Sequence, residues 1–535
     1  MAKLYTEALG CAPDQTSYAQ SREFVQANSC DLTTLRTIAI AFLTSREFLR
    51  RPYNNAERVL VLWRIARESE PDPQQFASQL AALTSHHQRW DQLVRSFFDR
   101  AGFGPAVPRL CAGQLYGWDA TRPVIDLPIA QPRGRHVQPG RRGGDLGRNR
   151  SHQMRPGRRS CLILLGTGTG AELQKALDDA TPGQTVCLAQ GAVIRVDGPV
   201  TIPSGVRLET VGAPKPSAYA AMARLVRTKT TGQPIVVVSS GATLASVWVD
   251  GQRSNQHVGI DHDSINIQVY GGSGSTTIRD DRIGNPAGWS NMVVSPGPGM
   301  SSSAPLSITG NLFTGYSTKF HYYETAATNN IQTNQFGFAD GVSNTYGNAR
   351  IAYNQMVDVT DVSFVMFKDF GTPSQQHSIV HDNTIVNAGN SGWAAFTVDP
   401  LYPETGTFDF SGTTIRHNLV WTSPNASLLV IAGIGTQPWF GDAAYGTGPV
   451  YFVDNTSGGV RVNTQMAIAV SRMSDVIIRD NALLARLAEQ DACPLGYIGV
   501  EESPGAKIDA PNEPVVFQSY PAIPSVSHGC LVIHQ

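Results

Sequence analysis

From about residue 276 the chain repeats a short pattern: an aliphatic residue, two variable residues, Asn or Asp, one variable residue, then an apolar residue. Full matches are Ile278/Asp281/Ile283, Ile308/Asn311/Phe313, Ile331/Asn334/Phe336, Ile351/Asn354/Met356, Val380/Asn383/Ile385, Ile415/Asn418/Val420 and Ile478/Asn481/Leu483, with a half match at Phe452/Asn455. The closest spacings are 20 and 23 residues, and wider ones imply inserted loops or a missed coil. The longest insertions are expected between Asn383 and Asn481. A unit this short cannot bury its own apolar face and must stack on copies of itself. The expectation is a coil of short strands, with inward apolar residues stacked from one coil to the next. The Asn is expected at a sharp corner, in left-handed backbone geometry. Its amide can then hydrogen-bond along the axis, a structural rather than a catalytic role.

Leucine-rich repeats share this core, but they need an apolar residue five positions before the Asn. Thr276, Asn329, Ser378 and Thr413 are polar there, Leu306 and Val476 fit, and Ala349 is borderline. Leu is not dominant and the spacing is irregular, so a β-helix fits better. Residues 161–200 add a second sign. Gly170–Ala180 reads as a short amphipathic helix, followed by Val186-Cys-Leu188, Ala192-Val-Ile194 and Val200-Thr-Ile202, with a turn at Gly205 before Val206-Arg-Leu208. This segment resembles the N-terminal cap and first coils of pectin-lyase-like proteins. A solenoid end exposes strand edges and core, and a helix can serve as its lid. The resemblance implies a mainly β fold, a right-handed parallel β-helix solenoid, with a carbohydrate as ligand class.

Ahead of the solenoid, residues 1–127 read as a small α-helical domain. Asp72-Pro73 starts one helix, with Phe76, Leu80 and Leu83 on one face. Asn54 and Glu57 have capping-box spacing before Val59, Leu62 and Ala66. Leu35, Ile38 and Phe42 mark another helix, and Trp90, Val94 and Phe97 a fourth; these stripes are read as core. Tyr5-Thr-Glu-Ala-Leu9-Gly10, Pro13-Asp14 and Phe42-Leu43-Thr-Ser-Arg-Glu47-Phe48 resemble a bacterial domain of unknown function found in exported, S-layer-like and toxin-repeat proteins. Cys11 stands where that domain usually has Arg, and the first helix reads as clipped. The resemblance implies an export context rather than a chemistry.

Residues 128–160 are rich in Arg, Gly and Pro and poor in large apolar residues, so they are expected to be a disordered linker before the solenoid at 161–535. A reading-frame slip would give the same composition; a basic nucleic-acid arm is the less favoured reading. Charged residues make up only 16% of the chain and net charge is −1, which gives no global field for nucleic acid or membrane. No C-x-x-C motif occurs among the seven Cys. Cys161 and Cys187 bracket the start of the β-rich region and Cys493 and Cys530 its end, which suggests two disulfides in an oxidising compartment, with free buried thiols as the alternative. A secreted or cell-surface location follows, although no signal peptide or membrane span is visible.

Candidate chemistry gathers at residues 319–402. Hydrolysis of a glycosidic bond needs two carboxylates, and Asp340, Asp361 and Asp399 come from neighbouring coils. Lyase chemistry needs a base beside a uronate, for which Lys368 and His321 are candidates. Tyr322, Tyr323, Trp393 and Tyr402 are candidate substrate-binding aromatics, with Trp421 and Trp439 as further sugar platforms. An Asp in a turn is as readily a turn cap as a catalyst. Polygalacturonase signatures such as Asn-Thr-Asp and Gly-His-Gly are absent. No cofactor is expected; calcium is possible but not indicated, since Gly271-Gly-Ser-Gly274 is a single partial match to a calcium-roll repeat. Two functions remain open: a polysaccharide lyase or hydrolase, and a non-catalytic surface protein that binds glycans or partners along the solenoid.

Overall fold

The computed structural model describes residues 1–111, 122–128, 161, 163–252, 263–301, 303–315, 339–368, 377–389, 391–400, 406–435, 444–487, 498–509 and 515–517. The expected linker therefore lies almost wholly outside the described residues. From Ile163 onward the chain is a right-handed parallel β-helix. Short strands, most of three to five residues, pair only in parallel, each with its counterpart one coil away.

A first sheet of 12 strands carries one inward residue per coil in continuous register: Ile163, Val186, Leu208, Leu244, Ile278, Ile308, Ile351, Val380, Ile415, Phe452, Ile478 and Ile508. The repeat seen in sequence is the C-terminal part of this stack, and the coils before residue 276 belong to it too. A second stack runs through Ile194, Leu225, Val249, Ile283, Phe313, Met356, Ile385 and Val420. A third runs through Val200, Val236, Ile267, Met292, Val342, Phe364, Phe396, Ala432, Ile468 and Ile498. The three stacks close on one apolar core. Ile308 pairs directly with Ile351, so those two coils are consecutive. The match at Ile331/Asn334/Phe336 lies outside the described residues. The longest step between ladder residues is thus Asn311 to Asn354, 43 residues, rather than any between Asn383 and Asn481, where the steps are 35, 37 and 26.

The corner between first and second stacks corrects one expectation. The left-handed residue is the one before the ladder position: Ser246 before Val247, Asp280 before Asp281, and Gly310, Tyr353, Asp382, His417, Asp454 and Asp480 each before an Asn all have φ between 53° and 70°. The Asn itself turns inward and builds the ladder. Asn354 donates its amide to Asn383 Oδ1 at 3.0 Å and to the Ile308 carbonyl at 2.9 Å, and Asn383 repeats both bonds with Asn418 and Ile351. The series runs from Asn311 to Asn481 and satisfies buried amides that would otherwise cost free energy.

Helix Gly170–Asp178 closes the first coils as a lid. Thr169 caps it in a reciprocal pair with Glu172, and Leu173, Ala176 and Leu177 enter the solenoid core. The N-terminal helices start where capping residues place them: Asn55–Ala66 after the Asn54/Glu57 box, Pro73–Thr84 after Asp72, Leu32–Leu43 after Asp31, and Trp90–Phe97. This helical region covers the outer face of the second stack. Arg224, Trp248 and Arg282 are consecutive outward residues there. Arg224 stacks on the Trp248 ring at 3.8 Å and Arg282 on the Tyr219 ring at 3.8 Å. Glu7 accepts from Arg64, Arg282 and Tyr219; Glu70 accepts from Arg64 and Arg224; Asp250 accepts from Arg224. Burial alone would raise Glu7, yet the Arg282 and Arg64 guanidiniums outweigh it and hold its carboxyl well below the usual range. Farther along the sheet the Ala12 N–H donates to Gln355 Oε1 at 2.6 Å and Gln15 Nε2 to the Ser457 carbonyl at 2.7 Å.

Two disulfides are present among the described residues. Cys161–Cys187 was expected, and its Cα atoms are 5.6 Å apart; it ties the chain entering the solenoid to the second coil. Cys30–Cys111 joins the helical region, and nothing in the sequence singled it out. Cys493 and Cys530 lie outside the described residues, and Cys11 is free. Among the described residues no helix is long and apolar enough to cross a membrane.

Candidate active site on the third stack

The outer face of the third stack collects most of the described candidate residues. Asp340, Lys368, Trp393 and Asp399 sit in strands rather than in the projecting loops expected from sequence, Asp361 directly precedes one, and Asp340, Lys368 and Asp399 are buried. Register places them in two groups. Asp340, Val362 and Ala394 mark one end of strands Asp340–Asn344, Val362–Lys368 and Gly392–Pro400, while Phe367 pairs with Asp399 at the other. Five register positions separate the two levels, and the pairing skips Gly341, Ser363 and Ala395 between them. Asp340 and Asp399 thus belong to different register levels of the sheet.

At the first end, backbone bonds string four residues across consecutive coils. The Asp340 N–H donates to the Trp289 carbonyl at 2.8 Å, the Asp361 N–H to the Ala339 carbonyl at 3.2 Å, and the Trp393 N–H to the Asp361 carbonyl at 3.0 Å. Two acids thus lie between two tryptophans in adjacent coils. Asp340 Oδ2 accepts from Ser343 Oγ at 2.7 Å and Oδ1 from the Val362 N–H at 3.1 Å; Ser343 Oγ also lies 2.9 Å from Ser290 Oγ. Burial pushes the Asp340 carboxyl up to about 7, against these two donors, which favour its ionised form. A carboxyl poised there can give or take a proton near neutrality. Asp361 is only partly buried.

At the second end, Lys368 Nζ sits 5.3 Å from the centre of the Phe408 ring, next to the Phe367–Asp399 pair. Trp289 reaches along the face to Phe367, with ring centres 6.4 Å apart in an edge contact. Sequence reasoning missed Trp289, Ser290 and Ser343. A Ser or Trp just before a strand carries no periodic signal, so only the pairing of coils reveals them. His321, Tyr322, Tyr323 and Tyr402 lie outside the described residues, as does Trp439. Trp421 is buried against Tyr18 of the helical region, with ring centres 5.4 Å apart, so it is no open platform. Among the described residues no cluster of His, Cys, Asp and Glu could hold a metal ion.

The fold defines the chain as a parallel β-helix protein. No family model matches it, and neither does any curated protein. Solved structures with a similar trace include an endo-xylogalacturonan hydrolase from Aspergillus tubingensis, 16% identical, covering 65% of this chain and 91% of that one at a TM-score of 0.38. An alginate lyase from a Paenibacillus species is 13% identical, covering 58% of this chain and 99% of that one at 0.33. A polygalacturonase from Erwinia carotovora is 14% identical, covering 63% and 97% at 0.32.

Proposed function

We propose that this is an exported polysaccharide-active enzyme whose proton-transferring residue is Asp340, with Asp361 as its partner carboxylate. One observation carries the reading: a buried strand carboxyl raised to about 7, next to a second acid one coil away, on an outer face flanked by Trp289 and Trp393. Two carboxyls, one held protonated by burial and one partly in water, are the division of labour that glycoside hydrolysis requires. The tryptophans offer ring faces on which sugars stack, and the parallel coils give the elongated groove a polymer needs. Asp399, farther along the same face, would meet the polymer at another sugar unit, whereas Lys368 has the inward parity of Met366 and lies beside Phe408. The two disulfides fit an oxidising compartment and so support export.

The second reading is a non-catalytic glycan-binding protein. It is favoured by the full hydrogen bonding of Asp340, since an acid that accepts from Ser343 and Val362 can be a structural clasp. A panel of acidic and neutral polysaccharides separates the two, with reducing-end release reporting hydrolysis and unsaturated-product absorbance reporting elimination. Asp340→Asn and Asp361→Asn should each lower turnover by at least a hundredfold with the melting temperature little changed. Full activity in both, or no activity of the native chain on the whole panel, refutes the enzymatic reading.

A further inference from the structure

We propose that Tyr353, Arg350 and Asp382 form a binding site for a neutral, hydroxyl-rich sugar on the outer face of the first sheet, away from the groove of the third stack. The outer face of the second stack is covered by the helical region, whereas the first sheet keeps an open flank. On that flank Tyr353 is 57% exposed, more than any other large apolar or aromatic residue described.

The position is the reason to give this ring a task. Tyr353 is the left-handed corner residue of its coil, with φ of 57°. The equivalent corners of the other described coils hold Ser246, Asp280, Gly310, Asp382, His417, Asp454 and Asp480, mostly residue types that are small, polar or tolerant of this geometry. An aromatic residue there is a steric outlier and, still 57% exposed, gains little burial beyond one edge contact with the His381 ring. Strain kept for little packing benefit is a mark of function.

The neighbours of the ring are held in place. Arg350 Nε donates to His381 Nε2 at 3.0 Å. An arginine only donates, so Nε2 must be the acceptor, and the imidazole proton resides on Nδ1, where it bonds Asp382 Oδ2 at 2.5 Å. The edge of the His381 ring contacts Tyr353, with centres 5.7 Å apart at 77°. His381 thus orients all three exposed groups without being exposed itself. The terminal nitrogens of Arg350 and the second oxygen of Asp382 have no partner among the described residues. A ring face, a set of donors and an acceptor side by side match the apolar face and adjacent hydroxyls of a sugar. The flank mixes signs, with Arg350, Arg416 and Arg479 exposed beside Asp382, Asp454 and Asp480, so it carries no net positive field that would select a polyanion over a neutral sugar.

The test is affinity electrophoresis through native gels containing soluble xyloglucan, galactomannan or arabinogalactan, with polygalacturonate as the acidic comparator. All proteins carry Asp340→Asn, so that turnover does not erode the gel and the outcome is independent of the catalytic proposal. At least one neutral polymer should retard the protein, and Tyr353→Gly and Arg350→Ala should each weaken that retardation about tenfold. Tyr353→Gly should also melt no lower than its parent, since Gly accepts the left-handed corner. Retardation unaltered by Tyr353→Gly, retardation by polygalacturonate alone, or none by the three neutral polymers overturns the proposal.

Discussion

Replacing Asp281 by Asn should stabilise the chain, and by more at pH 7 than at pH 4. Asp281 opens the ladder on the side of the lid helix. Each amide after it makes two bonds: Asn311 donates to Asn354 Oδ1 at 2.9 Å and to the Ile278 carbonyl at 3.3 Å, and Asn354 repeats the pattern one coil on. By equivalence of position, Asp281 Oδ2 stands where that nitrogen would be, against Asn311 Oδ1 and the Leu244 carbonyl, both acceptors. Oδ2 is buried without a hydrogen-bond partner, while Oδ1 accepts from the Val247 N–H at 2.7 Å. Burial raises the carboxyl well above its ordinary range, more than the Val247 bond lowers it. A group whose folded pKa exceeds its unfolded value of 3.8 supports folding fully below that pH. Its contribution then falls by about 1.4 kcal/mol per pH unit until the folded state ionises. Asn has no such slope, and it supplies two donors where two acceptors wait. At pH 4 the protonated Asp281 carboxyl already offers one O–H donor, so the variant gains one net bond, about 0.5–1.5 kcal/mol. The slope adds to this as pH rises. Asp340 titrates in both proteins and cancels from the difference. Urea midpoints at the two pH values measure it, with the m value as a check on the unfolded state. A variant no more stable than its parent at pH 7, or a gain that shrinks from pH 4 to pH 7, would show that the ladder argument is wrong.

Two further predictions concern how the helical region and the solenoid hold together. Arg224→Ala removes the counter-charge of buried Glu70 and Asp250 and should cost about 3–5 kcal/mol, with early proteolysis between the helices and the sheet; a loss under about 1 kcal/mol in the urea midpoint would contradict the pairing. Alkylation of the unfolded but unreduced protein, followed by peptide mapping, should label Cys11 and spare Cys30, Cys111, Cys161 and Cys187, and a label on any of those four would disprove the corresponding bridge.

The sequence alone determined the repeat, the solenoid and its lid. Apolar side chains at Ile278, Ile308 and Ile351 flank a polar corner in the same order each time, and the capping pair Asn54/Glu57 is written within four residues of chain. Such information is local, so it survives without coordinates. What the sequence misjudged was relational. It put the left-handed geometry on the Asn because both residues of the corner tolerate it, and only the backbone assigns it to the residue before. It grouped Asp340 with Asp399 because both fall in neighbouring coils, whereas strand register separates them by five residues. It read Trp421 as a sugar platform, although Tyr18, some four hundred residues earlier, covers it. The open flank at Tyr353 was invisible for the same reason: which of three sheet faces is covered depends on where the helical region docks. That docking is decided by the half-buried Glu7 and the buried Glu70 and Asp250 meeting Arg64, Arg224 and Arg282, a balance of charge between residues far apart in the chain that only the tertiary structure brings together.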